Sequence, residues 1–273
     1  MPELPEVETV VRYLRPHLAG RTITSFRARW PKVTAPLAPE VFARQVTGHT
    51  IQAVHRRGKY VLLGLDSGYV HLHLRMTGRL AVAPSGETDA QPYITAEFDL
   101  SGGSRLTFSD MRKFGRVGYL GDLAPLEAGL GPEPLSPRFT PRLFHRMLQA
   151  RRRRVKSLLL DQAFIAGLGN IYVDEALFLA RIHPEIQAHK LTFARVKALH
   201  QAIQAVLRAS INEGGTTIIN FGYGTSGRGR FREMLQVFRR EGEPCPVCNT
   251  PVVKIRVAQR GTYLCPTCQT HPG

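Results

Sequence analysis

Four cysteines near the carboxyl end of the sequence have the spacing of a metal site. Cys245, Cys248, Cys265 and Cys268 are its only cysteines and follow the pattern C-x2-C-x16-C-x2-C. Two turns that each present a pair of thiolates can complete a tetrahedral zinc site. Four protein ligands leave no open coordination position, so we expect one structural zinc ion per chain. Disulfides are the weaker alternative, because the amino terminus does not resemble a secretory signal.

The amino terminus could carry covalent chemistry. Removal of Met1 would give Pro2 a free secondary amine, which is partly neutral near pH 7 and can attack an aldehyde-like carbon to form an iminium. Glu3 and Glu6 would place carboxylates nearby for proton transfer. The alternative is that Pro2 and Pro5 only stiffen an amino-terminal arm, and residue types alone favour that alternative.

The charge of the chain predicts a polyanionic partner. Lys and Arg number 37 against 21 Asp and Glu, a net charge of +16. Residues 1–130 carry a net charge of +4 and residues 131–273 a net charge of +12, and 30 of the 37 cations are Arg. Arg is well shaped for bidentate phosphate and base contacts, so nucleic acid is a more plausible partner than anionic lipid. Charge that serves only solubility is the alternative, but solubility does not require concentration in one half.

Nothing in the sequence predicts a membrane protein. Apolar runs such as residues 60–65 and 158–160 are far too short to span a bilayer. The acidic, proline-broken start does not read as a signal or transit peptide, so we expect a cytoplasmic, nucleoid-associated location.

Hydrophobic periodicity divides the elements into two classes. A helix is predicted over residues 5–19, with Pro16 kinking or interrupting its last turn. Short strands with Gly-containing turns follow and predict a β-sandwich or barrel-like domain. The predicted strands are residues 22–30, 50–55, 60–65, 69–74, 79–83, 96–100, 105–109 and 118–120.

The second half reads as helical. The Gly- and Pro-rich stretch 121–141 predicts a linker or domain edge. Helices are predicted from Thr140-Pro141, over residues 170–181, and from Thr192 to about Ile211. Residues 215–232 read as a basic, Gly-rich loop that could act as a lid. Apolar residues between the two cysteine pairs predict a β-hairpin zinc finger.

Eight short blocks resemble the formamidopyrimidine-DNA glycosylase family, whose members act on oxidised purines. They occur in the family's order and cover essentially the whole chain. The blocks are Met1–Thr9, Arg57–Tyr60, His73–Gly78, Asp110–Gly115, Leu130–Leu135, Gly167–Tyr172, Glu213–Thr217 and Ala258–Thr262.

The resemblance implies an α+β fold with three parts. These are an amino-terminal catalytic β-sandwich with flanking helices over residues 1–131, a helix-two-turn-helix domain over 132–235, and a four-cysteine zinc-finger hairpin over 236–270. The loop 216–229 would be the lesion-recognition loop of the second domain. The implied activity is excision of bases such as 8-oxoguanine and formamidopyrimidines from duplex DNA, followed by β,δ-elimination at the abasic site.

The resemblance also implies residue roles. Pro2 matches the nucleophile, Glu3 the general acid, Lys59 the lysine of β-elimination and Arg260 the finger-tip arginine of δ-elimination. Without the resemblance, Lys59 would read as a surface lysine at a strand edge. Glu6 and Glu175 match supporting carboxylates.

Further positions match residues that contact DNA. Met76, Arg112 and Phe114 match three side chains that fill the gap left by an extruded base, with Arg112 facing cytosine. The other matching DNA contacts are Arg152, Asn170 and, in a loosely aligned segment, Tyr93. We expect a monomeric enzyme that prefers lesions opposite cytosine.

Three positions depart from the family's usual pattern, and two other functions stay open. Arg75 stands where Gly is usual, Met111 replaces a Pro, and Tyr93 replaces a His or basic residue. One alternative is the sister enzyme for oxidised pyrimidines, endonuclease VIII, although Leu4 and the long Gly-rich loop favour the purine enzyme. The other is a DNA-binding protein without catalysis.

Overall fold

The computed structural model describes residues 2–84, 92–217, 227 and 229–271. The chain forms two compact units. The first combines residues 1–128 with 213–230, and the second combines residues 129–212 with 231–273. Within the described residues, no helix has the length and apolar character needed to cross a membrane.

Eight strands form the centre of the first unit. They are β1 (Ile23–Ala28), β2 (Ile51–Arg57), β3 (Tyr60–Leu65), β4 (Tyr69–His73), β5 (Arg79–Pro84), β6 (Ile94–Leu100), β7 (Ser104–Ser109) and β8 (Arg116–Leu120). One antiparallel sheet has the order β1-β6-β7-β5 and the other has the order β2-β3-β4-β8. The apolar faces of both sheets belong to one hydrophobic core, which makes the unit a β-sandwich.

Helix α1 (Leu4–Leu18) joins edge strands of the two sheets. Its buried stripe includes Val7, Val10 and Leu14 at helical spacing. On the other faces, the hydroxyl of Tyr13 donates to the carbonyl of Val82 in β5 at 3.3 Å. The guanidinium Nε of Arg15 donates to the carbonyl of Val54 in β2 at 3.3 Å. This packing fixes the position of the amino end of α1.

The second unit contains the longer helices and the zinc-finger hairpin. Its elements are α4 (Pro141–Gln149), α5 (Val155–Leu159), α6 (Asn170–Leu179), α7 (Phe193–Asn212), β9 (Val253–Val257) and β10 (Arg260–Leu264). The hydroxyl of Thr140 caps α4 by accepting the Leu143 N–H, and Thr192 accepts the Arg195 N–H at the start of α7. Helix α6 is buried from Ile171 to Phe178, so it is the central element of this unit.

Most predicted elements are present, but the structure adds three short helices. All eight predicted strands form within a few residues of the expected bounds. The added helices are α2 (Pro39–Val46), α3 (Ala124–Ala128), which lies inside the predicted linker, and α5. Pro16 does not interrupt α1, which continues to Leu18.

Candidate active site

The amino end of α1 holds the two residues predicted to do the chemistry. Pro2 and Glu3 are both buried, and Met1 lies outside the described residues. Glu3 is the N-cap of α1, with extended backbone dihedrals. The backbone N–H of Glu3 donates to the carboxylate of Glu6 at 2.7 Å, so Glu6 closes a capping box around the first helical turn. The end of the chain is therefore held against the fold.

Glu6 also reaches a segment more than 200 residues away. Its second carboxylate oxygen accepts the backbone N–H of Thr216 at 2.8 Å. Thr216 pairs with Arg230 in an isolated antiparallel bridge, and the Arg230 N–H donates to the carbonyl of Glu213. Both feet of the predicted lesion-recognition loop are thus anchored in the first unit. Residues 218–226 and 228 of that loop lie outside the described residues.

Lys59 occupies the two-residue turn between β2 and β3. The preceding Gly58 has a φ of +55°, and Arg57 pairs with Tyr60 across the turn. Lys59 is 5 % exposed, so it is not the surface lysine that its strand-edge position would suggest. Burial, together with the charges of Arg75, Lys59 and His71, lowers the pKa of His73 at the end of β4 to about 3. Lys59 and His73 therefore lie near each other.

The predicted insertion residues lie in two exposed loops of the first unit. Met76 is 43 % exposed and Phe114 is 47 % exposed, which rules out core packing for both. A guanidinium nitrogen of Arg112 contacts the sulfur of Met76 at 2.9 Å, and its central carbon lies 4.6 Å from the centroid of the Phe114 ring. The structure thus brings these three side chains into one group.

Asp110 holds these loops together. It is 1 % exposed, and its carboxylate accepts the Thr77 hydroxyl, the Arg112 N–H at 3.1 Å and the Gly115 N–H at 2.6 Å. Gly115 allows this approach, because a Cβ at that position would overlap the ring of Phe108. Asp110 lies in one of the blocks that resemble the family, but the sequence assigns it no role. Its position directly after strand β7 was the only signal.

In the second unit, Arg260 begins strand β10 beside a tight turn. Val257 and Arg260 are paired, and Ala258 and Gln259 between them both have positive φ, as a two-residue hairpin turn requires. Arg260 is exposed. The side-chain amide of Asn170 at the start of α6 donates to the carbonyl of Gly261 at 2.8 Å. The structure therefore places Asn170 against the residue that follows Arg260.

A buried ion pair attaches this hairpin to the helices. The ammonium of Lys156 lies 2.5 Å from one carboxylate oxygen of Asp174, and both side chains are 0 % exposed. The other oxygen of Asp174 accepts the Tyr263 N–H at 3.0 Å, and Lys156 also donates to the Gly261 carbonyl at 3.5 Å. Burial raises the pKa of Asp174 to about 7, while Lys156 and the Tyr263 N–H oppose this rise. The sequence prediction did not include this pair.

The other predicted residues have varied surroundings. Glu175 is buried, and its carboxylate accepts the N–H groups of Gln236, Val237 and Phe238. Burial raises the pKa of Glu175 against these three hydrogen bonds. Arg152 is exposed in the loop between α4 and α5, and Tyr93 is exposed at the start of β6.

The four cysteines form one cluster within the second unit. The sulfur of Cys248 lies 3.4 Å from that of Cys265 and 3.6 Å from that of Cys268, and the sulfurs of Cys245 and Cys268 are 3.9 Å apart. A tetrahedral zinc ion with Zn–S bonds of about 2.3 Å requires sulfur separations of about 3.8 Å. The donor set and its spacing therefore fit one structural zinc ion.

Known proteins match along the whole chain. Family models match the formamidopyrimidine-DNA glycosylase N-terminal domain over residues 1–117, the H2TH domain of the same glycosylase over 130–221, and a zinc finger found in FPG and IleRS over 242–270. A formamidopyrimidine-DNA glycosylase from Chloroflexus aurantiacus is 48 % identical over 273 residues, with 98 % of each chain covered. The chain belongs to the formamidopyrimidine-DNA glycosylase family.

Other members of this family are similar over their full length. The formamidopyrimidine-DNA glycosylase of Protochlamydia amoebophila is 44 % identical, with 98 % of this chain and 99 % of that protein covered. A Lactococcus lactis FPG mutant in complex with Fapy-dG-containing DNA is 36 % identical with a TM-score of 0.91. The match covers 99 % of this chain and 100 % of that chain. A complex of MutM with DNA containing carbocyclic 8-oxo-G has a TM-score of 0.90, with 36 % identity and the same coverage.

The family assignment confirms four sequence predictions. The chain has the formamidopyrimidine-DNA glycosylase fold, it is a DNA-repair glycosylase and abasic-site lyase, and its finger is a structural zinc site. The individual residue roles and the predicted domain boundaries stay predictions. The loop 216–229 was predicted within the second domain, whereas residues 213–230 group with the first unit, to which the Glu6–Thr216 hydrogen bond ties them.

Proposed function

We propose that this glycosylase excises oxidised purines, such as 8-oxoguanine and formamidopyrimidines, from duplex DNA and then cleaves the strand at the abasic site. The observation that carries the proposal is the buried Pro2–Glu3 pair at the start of α1, held by the Glu6 capping box. DNA complexes of similar proteins that contain Fapy-dG and 8-oxo-G support the substrate class. The net charge of +16 supports a DNA partner.

Pro2 is the proposed nucleophile. Once Met1 is removed, the neutral secondary amine attacks the sugar C1′, the damaged base leaves, and the sugar ring opens to an iminium. Glu3 is the proton donor to the opening sugar. Its burial next to a helix start places the carboxyl group in a site from which bulk water is largely excluded. Glu6 fixes the backbone N–H of Glu3 and so orients this residue.

The iminium then acts as an electron sink for strand cleavage. Loss of a C2′ proton expels the 3′ phosphate, and we assign this β-elimination to Lys59. Arg260 contacts phosphate and promotes the following δ-elimination. Its exposure beside a constrained hairpin turn suits contact with an external phosphate. Asn170 and Arg152 are proposed as additional phosphate contacts.

Base extrusion is assigned to the group Met76, Arg112 and Phe114. Phe114 is a wedge between base steps, Met76 fills the void and Arg112 donates to the acceptors of the unpaired cytosine. The enzyme should therefore prefer cytosine opposite the lesion. Equal excision opposite cytosine and adenine would contradict this role for Arg112.

Borohydride trapping tests the central assignment. During turnover on an 8-oxoguanine duplex, borohydride should give a covalent protein–DNA adduct on the amino-terminal peptide, with Met1 absent. An amino-terminal tag should abolish trapping and cleavage, because the Pro2 amine becomes an amide, whereas a carboxyl-terminal tag is the matched control. Glu3→Gln should retain lesion binding and lose base release. Trapping by the blocked enzyme would move the nucleophile to Lys59.

The same assay distinguishes the alternative functions. Cleavage of thymine glycol in preference to 8-oxoguanine would favour the pyrimidine-specific sister enzyme, and binding without any cleavage would favour a non-catalytic DNA-binding protein. We further propose a monomer in the cytoplasm, associated with the nucleoid. The three-domain division at residues 1–131, 132–235 and 236–270 is part of this proposal.

A further inference from the structure

The exposed apolar side chains of the first unit are concentrated in one place. Among its described residues, the large hydrophobic side chains that are exposed are Met76 at 43 %, Tyr93 at 59 %, Met111 at 50 % and Phe114 at 47 %. Single exposed hydrophobic residues need no explanation, but a group on neighbouring loops marks an interaction surface. Met76 and Phe114 already have a proposed role, and Tyr93 matches a DNA contact in a loosely aligned segment, whereas Met111 has no assigned role.

Hydrogen bonds tie the loops of these four residues together. The backbone N–H of Asp110, which directly precedes Met111, donates to the carbonyl of Tyr93 at 2.9 Å. The Asp110 carboxylate binds the Thr77 hydroxyl beside Met76 and the N–H groups of Arg112 and Gly115 beside Phe114. Tyr93 is therefore hydrogen-bonded to Asp110 itself. Met76, Met111 and Phe114 are each adjacent in sequence to a residue that is hydrogen-bonded to Asp110.

Backbone strain falls on the same loops. In the described part of the first unit, the non-glycine residues with positive φ are Arg75 at 52°, Tyr93 at 63° and Lys113 at 56°. Such conformations are disfavoured and persist where the surrounding structure enforces them, often at functional sites. Here Arg116 donates to the carbonyls of Lys113, Phe114 and Gly115, which holds the turn. The turn at residues 113–115 is thus preorganised, which lowers the entropic cost of binding.

The charges around these side chains define the partner. Arg75, Arg112 and Lys113 are exposed cations within the two loops 74–78 and 110–115. The one acidic residue of these loops, Asp110, is buried and faces inward. Apolar side chains surrounded by cations fit a surface that is anionic at its rim and apolar between the charges. The sugar and base edges of a DNA duplex have this character.

We propose that Tyr93 and Met111 extend the insertion group into a four-residue apolar ridge, formed by Met76, Tyr93, Met111 and Phe114, that contacts the sugars and base edges flanking the extruded nucleotide. The proposal rests on the proposed function and deepens it. Tyr93 contributes an aromatic contact, and Met111 adds a flexible side chain that adapts to an irregular surface.

Methionine oxidation tests the ridge in the unaltered protein. The zinc-loaded full-length enzyme would be treated with dilute peroxide, alone and bound to a duplex with a tetrahydrofuran abasic analogue, and sulfoxide at each methionine would be measured by mass spectrometry. We expect the duplex to slow oxidation of Met76 and Met111 at least about fivefold. Met234, at 47 % exposure in the second unit, serves as the internal reference for oxidant dose. Oxidation of Met111 at the same rate with and without DNA would overturn the proposal.

Substitutions give a second, independent readout. Tyr93→Ala and Met111→Ala should each raise the Kd for this duplex about fivefold to tenfold with no change in the log–log salt slope, because the lost contacts are nonionic. Tyr93→Phe should bind like the wild type. Leu179→Ala removes an apolar side chain of 55 % exposure from the second unit and is the matched control. Wild-type affinity in both alanine variants would refute the ridge.

The outcome for the ridge is separable from the outcome for the catalytic assignment. If the wild type forms a borohydride adduct while Met111 stays unprotected, the ridge is wrong and the proposed function stands. If the wild type binds and protects Met111 but forms no adduct, the ridge stands and the assignment of Pro2 is wrong.

Discussion

The carboxylate of Glu6 links the first helical turn to Thr216 across 210 residues of sequence, with an O···N distance of 2.8 Å. Its other oxygen holds the N–H of Glu3 at 2.7 Å. One buried side chain therefore fixes both the backbone of the proposed proton donor and a foot of the loop 216–229. This arrangement couples the position of Thr216 to the geometry of the proposed proton donor.

Glu6→Gln should break this link while preserving the shape of the side chain. An amide has one oxygen acceptor, so either Glu3 or Thr216 loses its hydrogen bond, at a cost of about 1–3 kcal/mol for a buried unpaired N–H. We expect faster hydrogen exchange at Thr216 and slower borohydride trapping. Glu8→Gln is the matched control, because the Glu8 side chain is 21 % exposed and pairs with Arg12 and Arg56 rather than with a backbone N–H of Glu3 or Thr216. Wild-type exchange at Thr216 in Glu6→Gln would show that the link is dispensable.

Zinc removal should affect the second unit selectively. Chelation should release about one zinc ion per chain and disorder the hairpin β9–β10, since a four-thiolate site contributes directly to folding. DNA affinity should fall about 10- to 150-fold, the range expected when a charged hydrogen bond such as that of Arg260 is lost. Atomic absorption, binding assays and the amide spectrum of the β-sandwich would check this. Full nicking activity in a verified zinc-free sample would contradict it.

Arg260 should contribute one phosphate contact. Arg260→Ala should lower the slope of log affinity against log salt by about one unit. Arg44→Ala, which removes an exposed arginine of α2, is the charge-matched control and should leave the slope unchanged. Binding would be measured from low to moderate salt on the same abasic-analogue duplex. An unchanged slope for Arg260→Ala would remove this residue from the DNA contact surface.

His73 should make the first unit sensitive to acid. Its folded pKa of about 3 lies below the ordinary value of 6.5, because the ring is buried and faces Arg75, Lys59 and His71. Between pH 3 and pH 6.5 only the unfolded chain binds a proton at His73. The contribution of the neutral His73 to the free energy of unfolding is therefore fully present above pH 6.5 and is lost as the pH falls toward 3. At pH 5 the loss is about 1–2 kcal/mol. Urea unfolding of wild type and His73→Gln from pH 7 to 5 measures this, and equal pH slopes would count against His73.

The Lys156–Asp174 pair should hold the finger hairpin rather than add net stability. Asp174→Asn leaves a buried ammonium without its counter-ion and should destabilise the second unit by about 3–5 kcal/mol. The double variant Lys156→Met with Asp174→Leu should recover most of this stability but not the bonds to Gly261 and Tyr263. We therefore expect it to fold and still to show faster hydrogen exchange at Tyr263. If the Tyr263 amide exchanges as slowly in the double variant as in the wild type, the pair does not hold the finger hairpin.

Local patterns explain why the strands were predictable. A strand can be predicted from a few consecutive residues when apolar residues alternate and a turn such as Asp66-Ser67-Gly68 bounds them. In the structure the carbonyl of Gly68 accepts the Leu65 N–H and closes this turn. Helix α2 was missed because its eight residues are few for a helical period and follow a Pro-rich stretch. Helix α5 was hidden by the run of arginines 151–154 that precedes it.

Long-range partners could not be derived in the same way. Lys156 reads as one more cation after an arginine run, and only the fold reveals that it is fully buried against Asp174. Glu6 likewise reads as a solvated helix residue, and nothing local indicates Thr216 as its partner. The zinc site was predictable because the sequence spacing of its four cysteines is itself the signature of the site.

The first unit is discontinuous in sequence, and this has a consequence for protein synthesis. Its main body ends at Ala128, but its last segment, Glu213–Arg230, is translated only after most of the second unit. At about 5–20 residues per second, the ribosome needs on the order of ten seconds to reach Thr216. A nascent chain that ends before this residue can form the sandwich, yet Glu6 lacks its distant partner. The first unit is therefore completed late in translation, and a chain that terminates before Thr216 lacks the hydrogen bond that this residue makes to Glu6.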